Sequence, residues 1–355
     1  MNILNRYMFK KYITGFFLAS VVLIGINLLI ILISELKNLG NHQYSLYLIT
    51  KYIVFLIPQN FLDIFPYALL IGSMIAFGSM AYHSEIVAIN SHGVGIKKTI
   101  KIILIQTLFL SLFFTLLTNA IAPELSNKAQ SMKNIALNKS SVNKNIWFKT
   151  SKSIINVDKV ITDNDLENIK IYNITNGALS SIITAKKAFF TNQWNLVDVN
   201  LLDVENNKIT NKNSYTITAK EFIPFQILKS RFNKKRYNSI EDLYNNIIFY
   251  NDRGMYYEDH KITFWQKVLL PISCCIIIFV GLPFLFTKIR STNQSQKIIF
   301  GILFGVTYFV ITNIIINIAL IFNIPALICV LISMGLFILF GVFLFNKLVK
   351  EHIPI

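Results

Sequence analysis

Glycine, lysine and a hydroxyl, the ingredients of a phosphate loop, come together in Gly93-Val94-Gly95-Ile96-Lys97-Lys98-Thr99. The Walker arrangement needs four residues between the first Gly and the Gly-Lys pair, and here no Gly precedes Lys97, so the spacing argues against nucleotide binding by this chain. Energy, if used, must come from a partner. The five histidines, His42, His83, His92, His260 and His352, are scattered, with neither a helical HExxH nor a paired carboxylate. They read as solvated interfacial residues rather than a catalytic or zinc cluster. Cys274, Cys275 and Cys329 all fall in apolar stretches, and adjacent cysteines on a helix diverge by about 100°. Packing, not metal binding or a disulfide framework, is their expected role. No metal, no bound cofactor and no catalytic residue is expected.

The elements that must position any functional side chain are mostly membrane helices. The chain is 54% hydrophobic and 15% charged, with mean hydropathy +0.52, and its apolar residues arrive in long runs. Spanning a bilayer takes about 20 helical residues. Candidates are Ile13 to Ile33, Phe61 to Ala81, Ile102 to Ala122, Val268 to Phe286, Ile298 to Leu320 and Ala326 to Phe345. Three spans precede a polar block and three follow it. The first has the basic start of a signal peptide, but its apolar run is long and Ser34-Glu35-Leu36-Lys37 is no small-residue cleavage site, so it reads as a retained helix. Within the spans only Asp63 is charged, near one end, which disfavours a proton-coupled transporter.

Charge gives the orientation. Arg6, Lys10 and Lys11, then Lys97, Lys98 and Lys101, then Lys288, Arg290 and Lys297, then Lys347 and Lys350 all flank one side, whereas the opposite loops carry only Lys37 and Lys51. The positive-inside bias therefore puts the termini in the cytoplasm and the polar block outside. Net charge is +16, and residues 1–122 and 261–355 hold 15 Lys and Arg against 4 Asp and Glu, compared with 19 against 14 in residues 123–260. The excess thus belongs largely to loops facing anionic lipid, which argues against nucleic-acid binding.

The domains expected are 1–122 with helices one to three, 123–260 as an outer β domain and 261–355 with helices four to six. β-Branched and aromatic runs at Ile146 to Phe148, Ile154 to Val157, Ile169 to Ile174, Ile182 to Ala185, Trp194 to Val204 and Tyr215 to Ala219 alternate with Asn, Asp and Gly clusters. They predict antiparallel strands in a sandwich or open barrel. In Val197-Asp198-Val199-Asn200-Leu201 the apolar residues take every second position, predicting one buried face. Ser239, with Glu241 and Asp242 in the first turn, predicts a capped helix to Tyr250. Between the second and third spans, residues 84–93 predict a short helix capped by Ser84, with Glu85 in its first turn, Ile86 and Ile89 together with Val87 and Ala88 along one face, and Gly93 closing it. Two roles stay open for it: an interfacial helix lying on lipid, or a docking helix for a cytoplasmic partner with Glu85 as the charged contact. Gly301-Ile-Leu-Phe-Gly305 would let another helix approach closely.

The run Glu85-Ile-Val-Ala-Ile-Asn-Ser-His-Gly93 resembles the coupling-helix signature of the LptF/LptG lipopolysaccharide export permeases. Arg6-Tyr7, Phe65-Pro66 with Ala68-Leu69-Leu70, Ala122-Pro123, and Trp265-Gln266-Lys267 with Pro271 fall in that family's order. Ile3-Leu4-Asn5-Arg6-Tyr7, Glu35-Leu36-Lys37 and the approach from Gly254 to Lys267 are more similar to the LptG branch; the LptF branch remains the alternative. The resemblance implies six transmembrane helices around a periplasmic β-jellyroll. It also implies an LptF/LptG heterodimer on two copies of the LptB ATPase, which uses ATP and Mg, and a single-helix LptC partner that receives the lipid for transfer toward the outer membrane. The first and fifth helices would form lateral gates. Glu85, Ile86, Ile89 and Gly93 would couple to the ATPase, and this chain would catalyse nothing. LptG proteins often carry a Lys in the outer part of the first helix where this chain has Ile31. Lys37, Lys128 and Lys133 would then be the basic contacts for lipid phosphates, or else interfacial anchors.

Two other classes stay open. A mechanotransmission ABC permease also has an outer domain and a coupling helix, but usually one span followed by three. A membrane enzyme acting on lipid or glycan would need clustered His, Asp, Glu or Ser at the interface.

Overall fold

A computed structural model of the protein describes residues 3–137, 146–150, 153–162, 165–175, 178–191, 193–204, 208–217, 238–252, 257–286, 294–322 and 324–350. The chain divides into two units. One comprises Met1–Glu35, Ile53–Ser126 and Lys261–Ile355, and the other Leu36–Tyr52 and Asn127–His260.

The first unit is a helical bundle. It draws on α1 (Ile3–Leu36), α2 (Leu46–Tyr82), the short α3 (Glu85–Ser91) and α4 (Ile96–Ala136). After the β domain, α5 is Ile240–Asn251, α6 Glu258–Val268, α7 Leu270–Gly281, α8 Pro283–Phe286, α9 Gln294–Ile321 and α10 Ala326–Lys350. Among the described residues five helices are long and apolar enough to cross a membrane, and α6 with α7, bent by 63°, supplies a sixth crossing if taken as one span. The bend has a local cause. Pro271 offers no N–H to the carbonyl four residues back, and the break falls at Leu269, which takes φ −88° and ψ 1°. Leu282 keeps helical angles, so α7 runs on into α8 with only Pro283 interrupting the hydrogen bonds. α2 and α4 contain 37 and 41 residues, about 55 and 60 Å at 1.5 Å per residue, and so outrun a hydrocarbon core of about 30 Å. The third span predicted to end at Ala122 therefore continues as helix through Pro123 to Ala136.

The bundle core is aromatic and closely packed. Phe16 of α1, Phe61 and Phe65 of α2 and Phe114 of α4 form one cluster, with ring centroids 5.4 to 6.2 Å apart. α1 and α2 cross at glycine: a Cβ on Gly72 would stand 2.6 Å from the Cα of Phe16, and one on Gly15 would stand 2.5 Å from the Gly72 carbonyl oxygen. The cysteines are packing residues, as expected. Cys274 and Cys329 are buried, the Cys275 thiol points at the Leu104 carbonyl at 3.8 Å, and that of Cys329 at the Ile315 carbonyl at 3.8 Å.

The second unit carries six antiparallel strands in one sheet ordered β1 (Ile146–Lys149), β2 (Ser153–Thr162), β3 (Asp165–Thr175), β4 (Ala178–Phe190), β5 (Trp194–Asp203) and β6 (Lys208–Ile217). All six predicted runs lie in these strands or overlap them. One face holds the core, with Ile155, Ile171 and Ile183 in one register row and Val157, Ile169, Ala185 and Val199 in another. The simple alternation expected at Val197 to Leu201 is corrected: Leu196 and Val199, three residues apart, are both buried, and Val197 is only half-buried. Asp198 takes φ +55° and Asn168 of β3 takes φ +52°, conformations that Asn and Asp tolerate better than other side chains. The buried rows Ile169, Ala185, Val199 and Leu166, Ala188, Leu196 are thereby separated by an odd step in all three strands. Between them Lys186 and Asp198 pair at 3.4 Å. Ser239 caps α5 as predicted. Its hydroxyl accepts from the Asp242 N–H at 2.9 Å, and the Asp242 carboxylate accepts from the Ser239 N–H at 3.1 Å.

Candidate coupling site

α3 is one two-turn helix held between sharp turns. Ser84 takes φ +59°, so the expected N-cap is corrected: the residue sits in the left-handed region rather than the extended one that a capping hydroxyl needs. Its carbonyl still accepts the first helical bond, from Ala88 N–H at 3.0 Å. Gly93 closes the helix at φ +86°, and the Val94 N–H reaches back to the Ile89 carbonyl at 3.3 Å. That six-to-one bond is the Schellman arrangement, which wants glycine where the chain turns left-handed.

The faces of α3 divide cleanly. Ile86 is 5% exposed and belongs to the bundle core, and Ile89 packs against that core. Both therefore anchor the helix inward, whereas Val87, 65% exposed, and Ala88 face away from the bundle. The Glu85 carboxylate is held from α1. The Tyr7 hydroxyl donates to Oε2 at 2.8 Å, and Lys11 Nζ lies 3.8 Å from Oε1 and 5.5 Å from the Tyr7 ring centroid. Sequence reasoning valued Lys11 only as a marker of membrane side and Tyr7 only as part of a dipeptide. Their separation of four residues, which places both on one helix face, was the available signal for a shared partner.

Gly301 and Gly305 are buried and turn toward α2 of the same chain. A Cβ on Gly301 would lie 2.9 Å from Met74, and one on Gly305 3.4 Å from Tyr67. The other basic candidates lie in the second unit. Lys37 and Lys128 are exposed, and Lys133 Nζ rests 4.9 Å from the ring centroid of Tyr52. Among the described residues no three His, Cys, Asp or Glu side chains converge. His92 spends its Nδ1 on the Ala88 carbonyl at 2.7 Å and His260 stacks on Tyr250; His352 lies outside the described residues.

A model of the family described as lipopolysaccharide export system permease LptF/LptG matches residues 6–347. The chain is also similar to the lipopolysaccharide export system permease protein LptG of Haemophilus influenzae, 26% identical over 349 residues, or 95% of this chain and 96% of the relative. To the protein of that name in Escherichia coli K12 it is 24% identical over 354 residues, 98% of each. With a family match that runs from the start of α1 into the last helix, the chain belongs to the LptF/LptG lipopolysaccharide export system permeases and is a multi-pass protein of the inner membrane.

Proposed function

We propose that this chain is the LptG-type permease subunit of an ABC transporter that lifts lipopolysaccharide out of the inner membrane toward a periplasmic bridge. Its partners are an LptF-like sister permease, an LptB-like ATPase dimer that supplies ATP hydrolysis, and an LptC-like single-helix protein. The basic loops and termini are cytoplasmic and the β domain is periplasmic, a placement that the distribution of Lys and Arg supports. The observation that carries the reading is α3, anchored by Ile86 and Ile89 with Val87 and part of Glu85 left outside. A short helix fixed on one side and open on the other suits docking on a soluble motor.

The energetics explain why a motor is needed. An acyl chain gains about 0.8 kcal/mol per CH₂ on leaving water, but almost nothing on moving sideways from bilayer to a protein cavity. Binding alone thus cannot drive extraction. Basic side chains select the phosphorylated headgroup, for which Lys37, Lys128 and Lys133 are the candidates, and nucleotide-driven closure expels the lipid. Burial supports α1 and α9 as lateral walls, since only 17% of the most apolar window of each is covered within this chain.

Glu85→Ala or Glu85→Lys should insert normally and abolish lipid export; normal export in membranes carrying either variant would rule out the docking role. Lys37→Asp with Lys133→Asp should weaken photocrosslinking to lipopolysaccharide, and undiminished crosslinking would leave those lysines as anchors. Affinity purification from membranes should recover an ATPase and a six-span sister.

A further inference from the structure

The Glu85 carboxylate, the group assigned above to an external partner, already has two partners on α1. Tyr7 and Lys11 approach different oxygens of it, at 2.8 and 3.8 Å. A carboxylate has two oxygens and about four acceptor directions, and the Glu85 side chain keeps 28% of its surface exposed. A cation arriving from outside the bundle can therefore join Tyr7 and Lys11 at Glu85 without displacing them.

α1 is also firmly seated at that level. Met8, Tyr12 and Phe16 are buried, Gln106 of α4 donates to the Asn5 carbonyl at 3.0 Å, and the Tyr12 and Thr107 hydroxyls are 3.2 Å apart. The same helix continues unbroken to Leu36, so that Ile26, about 30 Å along the axis from Tyr7 at 1.5 Å per residue, belongs to its uncovered outer half. α3, by contrast, joins its chain neighbours only through the left-handed turns at Ser84 and Gly93.

We propose that Tyr7 and Lys11 are positioning residues that tie Glu85, and with it α3, to α1, so that a displacement of α3 by the docked ATPase passes into α1 directly. The route runs through the Tyr7 hydroxyl and the Lys11 ammonium rather than through the turn to α2, and α1 carries the shift to its outer half. This rests on the docking role proposed for α3.

The test uses the complex purified with its ATPase and reconstituted in vesicles containing lipopolysaccharide, with lipid released per ATP hydrolysed as the readout. Tyr7→Phe combined with Lys11→Gln should lower that ratio about three- to tenfold, the scale of an ordinary hydrogen bond at a partly exposed site, and restoring a cation with Lys11→Arg should recover most of the loss. An unchanged ratio overturns the link, as does a ratio that falls only in step with the melting temperature in detergent. Tyr7→Phe alone removes one oxygen from a side chain that is 41% exposed, so this variant folds and carries the test should the double variant fail to accumulate. Glu85→Ala separates the two levels. If Glu85→Ala exports normally, the docking role itself fails; if it uncouples while the Tyr7 and Lys11 variants do not, only the link to α1 falls.

Discussion

α2 and α1 are both membrane helices, yet they occupy opposite ends of one scale. α2 has the least apolar window of the five long spans and 61% of it is buried, whereas the window of α1 is among the most apolar and only 17% of it is buried. α9 resembles α1, at 17%. In a soluble protein the greasiest helix goes to the centre. In lipid the solvent is as apolar as leucine, so apolarity by itself no longer drives a helix inward, and the inner helix can carry small and polar residues. α2 accordingly carries Pro58, Pro66, Gln59, Asn60, Ser73 and Gly72, while the outer half of α1 leaves Val21, Val22, Ile26, Leu29, Ile30 and Ile33 exposed.

The largest expected effect lies where the two helices touch. Gly72→Leu would set side-chain atoms where the Phe16 backbone already stands, and should cost about 3 kcal/mol or more because backbone cannot yield as a side chain does. Little folded protein should survive detergent extraction. A normal melting temperature would show that α1 does not cross α2 there. Phe65→Ala tests the aromatic cluster and should be milder than in a soluble core. Membrane burial contributes no transfer from water, leaving a cavity of roughly 100 Å³ and about 2 kcal/mol. A loss as large as 5 kcal/mol, read from unfolding in mixed micelles, would mean that water reaches this cluster. Gly25→Leu should do least to the chain itself, within about 0.5 kcal/mol, since a Cβ on Gly25 meets nothing within 4 Å. Its melting should match the parent, and weakened recovery of the sister permease would mark this face as shared.

Much of this was legible beforehand. Apolar runs define helices, because every peptide group in hydrocarbon must bond internally, and β-branched runs between polar clusters located the strands. The Ser239 cap was readable because a capping box is local, involving only residues three apart. The coupling-helix sequence was recognisable as a pattern, but its facing was not. Ile86 and Val87 differ little as residue types, and only the bundle decides which of them enters it. The odd step in the sheet was hidden for a similar reason: alternating letters at Val197 to Leu201 assume an unbroken strand, and the left-handed Asp198 breaks the phase without changing the composition.

The amino-acid sequence by itself settled the type and order of the main elements and the division into apolar and polar blocks, since those follow from transfer between water and lipid residue by residue. Tertiary structure alone decided that Gly301 and Gly305 lie against α2, that α2 rather than the greasier α1 occupies the centre, and that Tyr7 and Lys11 reach Glu85. The physical reason is distance along the chain: the hydrogen bond from Tyr7 to Glu85 spans 78 residues, and a contact of that kind depends on how helices pack rather than on any local preference of the residues that make it.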